Sequence, residues 1–167
     1  MTRPIASGDV LDGSEYARLV AERTSEADFQ AQVEFLARSL GYLVFHARQA
    51  RHSEPGWPDL YLVGHGRRIA AELKTARSRI DTTHRVTSSG RVLPCQACWL
   101  RTLRAGPGET YLLRPMDVDL LLDLLSPVET AARLAAVMVL DEQTRIELER
   151  AECRPPQTDR LQGWGGL

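Results

Sequence analysis

Lysine is nearly missing from this chain. Of its 21 lysine and arginine residues, 20 are arginine, and Lys74 stands alone. Such a bias follows genome composition. A position that resists it points to a role for a compact ammonium, which arginine's planar fork cannot supply. Cysteine is scarce too. Three cysteines in 167 residues, an odd number, do not make a disulfide framework, and a reducing cytoplasm is the expected setting. No run approaches roughly 18 consecutive apolar residues, so neither a membrane-spanning helix nor a membrane partner is expected. The first nine residues lack an apolar core and include Asp9, unlike a secretory leader. No G-x-x-x-x-G-K-[ST] loop is present, so that nucleotide-binding fingerprint is excluded.

What is present is ordinary globular composition, 43% hydrophobic and 26% charged, in a length that suits one domain and a tail. The net charge of −1 says little, but its distribution says more. Residues 1–45 sum to −3, residues 46–104 to +7 and residues 105–167 to −5. A basic middle between acidic ends suits an anionic partner there. An arginine-rich, solvated surface would give the same sums.

Residues 1–23 have no clean periodicity and read as a flexible arm with one helical turn. Ser25 through Asp28 resembles a capping box, and Phe29, Val33, Leu36, Ala37 and Leu40 follow at helical spacing, ended by Gly41. Residues 42–46 predict a strand, 48–57 a polar loop, 59–63 a second strand and 68–74 a third, with a hairpin turn at Gly64 to Gly66. Residues 75–93 form a long polar loop. A helix is predicted from Pro94 to about Ala105, a strand at 110–114, and helices at 116–125 and about 127–151. In the last of these, Leu134, Val137, Met138 and Leu140 mark the apolar side. Residues 153–167 read as a disordered tail. The order α-β-β-β-α-β, with a crossover between the last two strands, implies a mixed sheet flanked by helices.

Chemistry concentrates at two spots. Pro58 and Asp59 begin one predicted strand, and Glu72, Leu73 and Lys74 end the next, after 12 intervening residues. In a strand, i and i+2 share a face, so Glu72 and Lys74 point away from the core and Leu73 points into it. A register that sets Asp59 beside Glu72 brings two carboxylates together, which repel unless a cation lies between them. Hard divalent ions such as Mg²⁺ prefer such oxygens and make a bound water a better nucleophile. Taken singly, Asp59 could be a strand-start cap, and Glu72 with Lys74 an exposed ion pair.

Residues 56–63 followed by Ala71 through Lys74 resemble the PD-(D/E)XK nuclease superfamily, and more narrowly its VRR-NUC domains. The likeness extends to residues 25–30 as an opening helix and 41–46 as a first strand. Residues 96–100, of pattern Q-x-x-W-L, and 111–117 continue it. It covers about residues 24–125, leaving 126–152 as a C-terminal helical extension. It implies an α/β restriction-endonuclease-like core and an Mg²⁺- or Mn²⁺-dependent DNA endonuclease. Substrates would be junctions, flaps or other branched DNA, in phage- or prophage-type recombination, repair or packaging. By the same resemblance Asp59 and Glu72 hold the metal with the Leu73 carbonyl, Lys74 is the catalytic lysine, and Gln96 orients a ligand or phosphate. Glu26 matches a further metal acid; Gln30, one turn on, and Glu34, two turns on, are its rivals. Apart from the resemblance, His46 at the end of the first strand is a candidate to meet a phosphate, or else a satisfied, partly buried histidine. Arg48, Arg51, Arg77, Arg79, Arg85 and Arg91 are expected on phosphates. A homodimer through helices 116–151 is a further expectation. A non-catalytic nucleic-acid-binding module and an RNA-directed nuclease remain the other readings.

Two features stand apart. Trp57 is expected to pack, with base stacking as the other use. Cys95 and Cys98 form a C-x-x-C, but a structural zinc or an iron–sulfur cluster wants four ligands and only Cys153 remains among the cysteines. With His84 the nearest histidine, the pair is expected to fill space on a helix.

Overall fold

In the computed structural model, which describes residues 12–46 and 54–154, Ser25 caps the helix that its sequence predicts. Its hydroxyl oxygen accepts from Asp28 N at 3.1 Å, and the hydroxyl donates to Asp28 Oδ2 at 2.6 Å. Before it lies α1, Gly13–Arg23, capped by Asp12 through Glu15 N. This eleven-residue helix stands where the sequence predicts an arm with one turn. Only Ala21 is buried on it, so it carries almost no apolar periodicity to read. The capped helix is α2, Glu26–Ser39, and it buries Phe29, Val33 and Ala37 at i, i+4 spacing.

The chain continues through β1 (Leu43–His46), β2 (Leu60–Gly64) and β3 (Arg67–Leu73). A short ribbon of β4 (Arg85–Val86) and β5 (Val92–Leu93) follows, then α3 (Gln96–Arg104) and β6 (Glu109–Leu113). A 3-10 turn at Pro115–Asp117 leads into α4 (Val118–Leu125) and α5 (Ala131–Arg150). Four strands make a mixed sheet in the order β1-β2-β3-β6, antiparallel except for the parallel pair β3 and β6. His65 and Gly66, with φ of 52° and 74°, make the two-residue turn between β2 and β3. Two positive φ angles give a turn whose twist matches that of the strands. The ribbon is an addition to the predicted order, in which residues 75–93 are loop throughout.

The sheet has two buried faces. Leu60, Leu62, Ile69, Leu73, Tyr111 and Leu113 pack with α2, α4 and the first half of α5. On the other face Leu112 meets Ala97 and Leu100 of α3, Ile80 and Leu148. Helix α5 buries Ala136, Leu140, Thr144 and Leu148, a row four residues apart. Leu134 and Met138, expected on the apolar side, are exposed. Thr144 explains the choice of face. Its Oγ1 accepts from Leu112 N at 3.0 Å and donates to Leu140 O at 2.7 Å, satisfying a strand N–H at the edge of the sheet. Helix α5 therefore packs into the same core as the residues before it, rather than extending beyond them.

Arg67 anchors the start of β3. It donates to both oxygens of Glu109 (2.7 and 2.6 Å), to Tyr42 OH (3.1 Å) and to Leu124 O (2.5 Å). Among the described residues no helix is long and apolar enough to cross a membrane.

Candidate metal and nucleic-acid site

The β2–β3 register decides where the acids meet. Leu60 pairs with Ala71, so one step outward Asp59 stands opposite Glu72. Asp59 Oδ2 accepts a hydrogen bond from Leu73 N at 2.8 Å, which ties the loop before β2 to the end of β3. Glu72 and Lys74 share the sheet face opposite Leu73, as the period of two requires. That face is not open, however. Glu72 is 0% and Lys74 6% exposed. Strand β3 runs between β2 and β6, and α3 packs against it, so both of its faces are covered.

Lys74 Nζ lies 2.5 Å from Glu72 Oε1. Lys74 is the charge partner of Glu72, and no other group among the described residues hydrogen-bonds its oxygens. Burial, and then the charge of Asp59, push the Glu72 carboxyl up to about 8 against the pull of Lys74, and Glu26 adds to the push.

Glu26 opens α2 and is exposed. Its rivals are engaged elsewhere. The Gln30 amide lies 3.0 Å from Glu34 Oε1 and 2.6 Å from His46 Nε2, and His46 Nδ1 is 3.2 Å from Glu34 Oε1. Burial works to raise the Glu34 carboxyl, but its contacts with Gln30, Arg38 and His46 more than offset this and hold it below its ordinary value. His46 thus belongs to a network across α2 and β1, and Gln30 and Glu34 belong to it too. Leu73 has its side chain in the core and its N–H on Asp59.

Gln96 has a different neighbour from the one expected. Its Oε1 accepts from Asp81 N at 2.9 Å, and Ala97 N donates to Asp81 O at 3.2 Å, so it tethers the loop after β3 to the start of α3. It has no hydrogen bond to Asp59, Glu72 or Lys74 among the described residues. Trp57 packs edge-on against Trp99, with ring centres 4.9 Å apart, and lies near Tyr61. Beside it Gly56 has φ +85°, and a Cβ there would sit 2.7 Å from Pro94 O. The loop that carries Asp59 is thus pressed against the backbone that starts α3.

Arg77, Arg79, Arg85 and Arg91 are exposed along the loop and ribbon. Arg91 reaches both oxygens of Glu54 at 2.9 Å, Arg77 lies 3.4 Å from Glu22, and Arg85 lies 3.7 Å from Asp81. Arg48 and Arg51 lie outside the described residues. A groove of about 1080 Å³ runs between residues 76–83 and α5. It includes Arg77, Arg79 and Arg114 but none of Glu26, Asp59, Glu72 or Lys74, so it is not where the acids converge.

A second cluster forms where the sequence predicts only packing cysteines. His84, Cys95, Cys98 and Cys153 bring four ligand atoms within 4.8 Å of one another. Cys95 is buried in the second core with Cys98 and Cys153 packed against it, as space-filling cysteines would be, and the fold also brings His84 beside them. The C-x-x-C itself is visible in the sequence; its two partners are 11 and 55 residues away from it and carry no local pattern.

Compared with known proteins, the sequence matches no family model, and no curated protein and no solved structure matches it either.

Proposed function

We propose that this protein is a metal-dependent DNA endonuclease that works at the corner of Asp59, Glu72 and Lys74, as its resemblance to VRR-NUC domains implies. The observation that carries this reading is Glu72. It is fully buried against Lys74, the one lysine of the chain, and it faces a second carboxylate. Lys74 offsets one of the two carboxylates, and the other calls for a further cation. The donor set fits a hard divalent ion, Mg²⁺ or Mn²⁺, held by Asp59 and Glu72 with Glu26 nearby and the Leu73 carbonyl at the strand end. Once bound, such an ion acidifies a water and stabilises charge developing at a phosphorus.

The chain's own groups do the rest. The bond from Leu73 N fixes one oxygen of Asp59 and leaves the other to a ligand. Lys74, held against Glu72, supplies an ammonium that positions the attacking water or meets the charge of the transition state. Arg77, Arg79, Arg85 and Arg91, with Arg48 and Arg51, contact phosphates and position the duplex without reading its bases. Gln96 acts at one remove, by holding the arginine-bearing loop through Asp81.

The test is cleavage of labelled four-way junction, flap, single-stranded and linear duplex DNA, with Mg²⁺, with Mn²⁺ and with neither added. Cutting that requires the added ion supports the reading, and the ranking of substrates names the preferred structure. Folded protein that binds these DNAs and cuts none of them with either ion would make it a non-catalytic binding module. Cleavage of matched RNA in preference to DNA would move the substrate class.

A further inference from the structure

We propose that His84, Cys95, Cys98 and Cys153 hold one structural zinc ion. The distances suit a single ion. Cys98 Sγ lies 3.1 Å and Cys95 Sγ 3.5 Å from Cys153 Sγ, and His84 Nε2 is 3.2 Å from Cys98 Sγ. Tetrahedral zinc with Zn–S bonds of about 2.3 Å places its sulfurs about 3.8 Å apart. The separations seen are well beyond the ~2.05 Å of a disulfide. They are also too tight for an iron–sulfur cluster, whose ligands spread over several irons. Three thiolates and an imidazole are soft to borderline donors, which select zinc over the hard ions suited to Asp59 and Glu72. All four positions come from protein, so none is left open for substrate and the ion is a staple rather than a catalyst.

The surroundings are built for it. Cys95 stands at the N-cap position of α3 and Cys98 lies in its first turn, so one helix end presents both thiols together. The other two ligands are delivered by backbone pairing: Arg154 N donates to Thr82 O at 2.8 Å, and His84 N donates to Arg154 O. Zinc with three thiolates and a neutral histidine carries one net negative charge, and binding releases three thiol protons. Arg101 answers that charge. Its Nη1 donates to Cys153 Sγ at 2.8 Å, while its Nη2 caps α5 at Leu148 O (2.6 Å) and at Ala151 O. The ion would tie together three segments remote in sequence: the loop carrying the arginines, the start of α3 beside Gln96, and the chain beyond α5.

The experiment is elemental analysis of the full chain purified without chelators, followed by X-ray absorption at the zinc edge. The expected result is one zinc per chain and no iron, with three sulfurs at about 2.3 Å and one nitrogen at about 2.0 Å. Cobalt in place of zinc should give the visible absorption of a tetrahedral thiolate site. Cys98→Ser and His84→Ala should each lower zinc content and the melting temperature, whereas Glu72→Gln should keep full zinc. If either variant fails to fold, the metal count and the cobalt spectrum of the unaltered chain still decide. Folded protein with three titratable thiols and no zinc, a cysteine pair joined as a disulfide, or a brown iron-containing product would each overturn the proposal. So would full zinc occupancy in Cys98→Ser.

Discussion

The two corners of this molecule differ in hardness, and the difference separates the roles proposed for them. The corner at Asp59, Glu72 and Lys74 offers oxygen donors, those of Glu72 fully buried against Lys74. The crowding of its two carboxylates is local, and a divalent ion with exchangeable positions would relieve it. The corner at His84, Cys95, Cys98 and Cys153 offers sulfur and nitrogen, four ligand atoms closed on one another. A set that is complete without solvent is suited to holding a fold together. Helix α3 lies between them: its N-terminus carries Cys95 and Cys98, and the loop of Asp59 presses on it at Gly56.

The largest way to separate the corners is Glu72→Gln. Its volume is kept and its charge removed, so cleavage should fall by at least about 10²-fold, the scale of losing a group that stabilises the transition state. The melting temperature should fall, because the buried Lys74 loses its carboxylate partner. A kinetic assay and a melt on the same sample check both.

A control belongs at the far end of β3. Arg67→Ala leaves Glu109 with Tyr111 alone and takes the donor from Tyr42 OH and Leu124 O, and should cost about 3 kcal/mol, read by urea unfolding. Neither corner should lose its metal. The same pair sets an acid limit. Burial raises the Glu109 carboxyl, but hydrogen bonds from Arg67 and Tyr111 outweigh it and hold it below its ordinary 4.5. A lowered folded value means that this stabilisation is complete above the ordinary value and is lost as the pH falls through the lowered one. The difference in stability between the unaltered chain and Arg67→Ala should therefore shrink on acidification below about pH 4.

Gly56→Ala should act on both corners at once. Its positive φ and the 2.7 Å approach to Pro94 O leave no room for a Cβ. We expect about 2 kcal/mol of destabilisation with slower cleavage, because both the Asp59 loop and the start of α3 must shift. The smallest effect is expected from Arg85→Ala and Arg91→Ala. These are exposed, so unfolding should change by less than about 0.5 kcal/mol. DNA affinity should fall, and the slope of log affinity against log salt should become shallower by about one for each phosphate that is no longer neutralised.

The legibility of the two corners in sequence also differs, for a physical reason. Strand period and hairpin length set the register, so the pairing of Asp59 with Glu72 follows from residues 59–74 alone. Capping at Ser25 and the row Phe29, Val33, Ala37 are equally local, and the structure has both. What sequence hid is what tertiary packing decides. Burial of Glu72 and Lys74 comes from α3 and the flanking strands. The face of α5 is chosen by Thr144, a polar residue that serves a strand edge and so is invisible to apolar periodicity. The third and fourth ligands of the thiol corner come from a loop and from the far side of α5. Gln96 shares its spacing with a catalytic pattern, yet in the fold it holds Asp81.

The most direct single measurement is the cleavage rate, per folded molecule and with Mn²⁺ added, of the unaltered chain beside Glu72→Gln and Cys98→Ser. Chelators are left out, since they would strip both corners. Metal-dependent cutting should be abolished by Glu72→Gln and retained by the folded fraction of Cys98→Ser. Equal cutting by Glu72→Gln and the unaltered chain would contradict a catalytic metal at the oxygen corner.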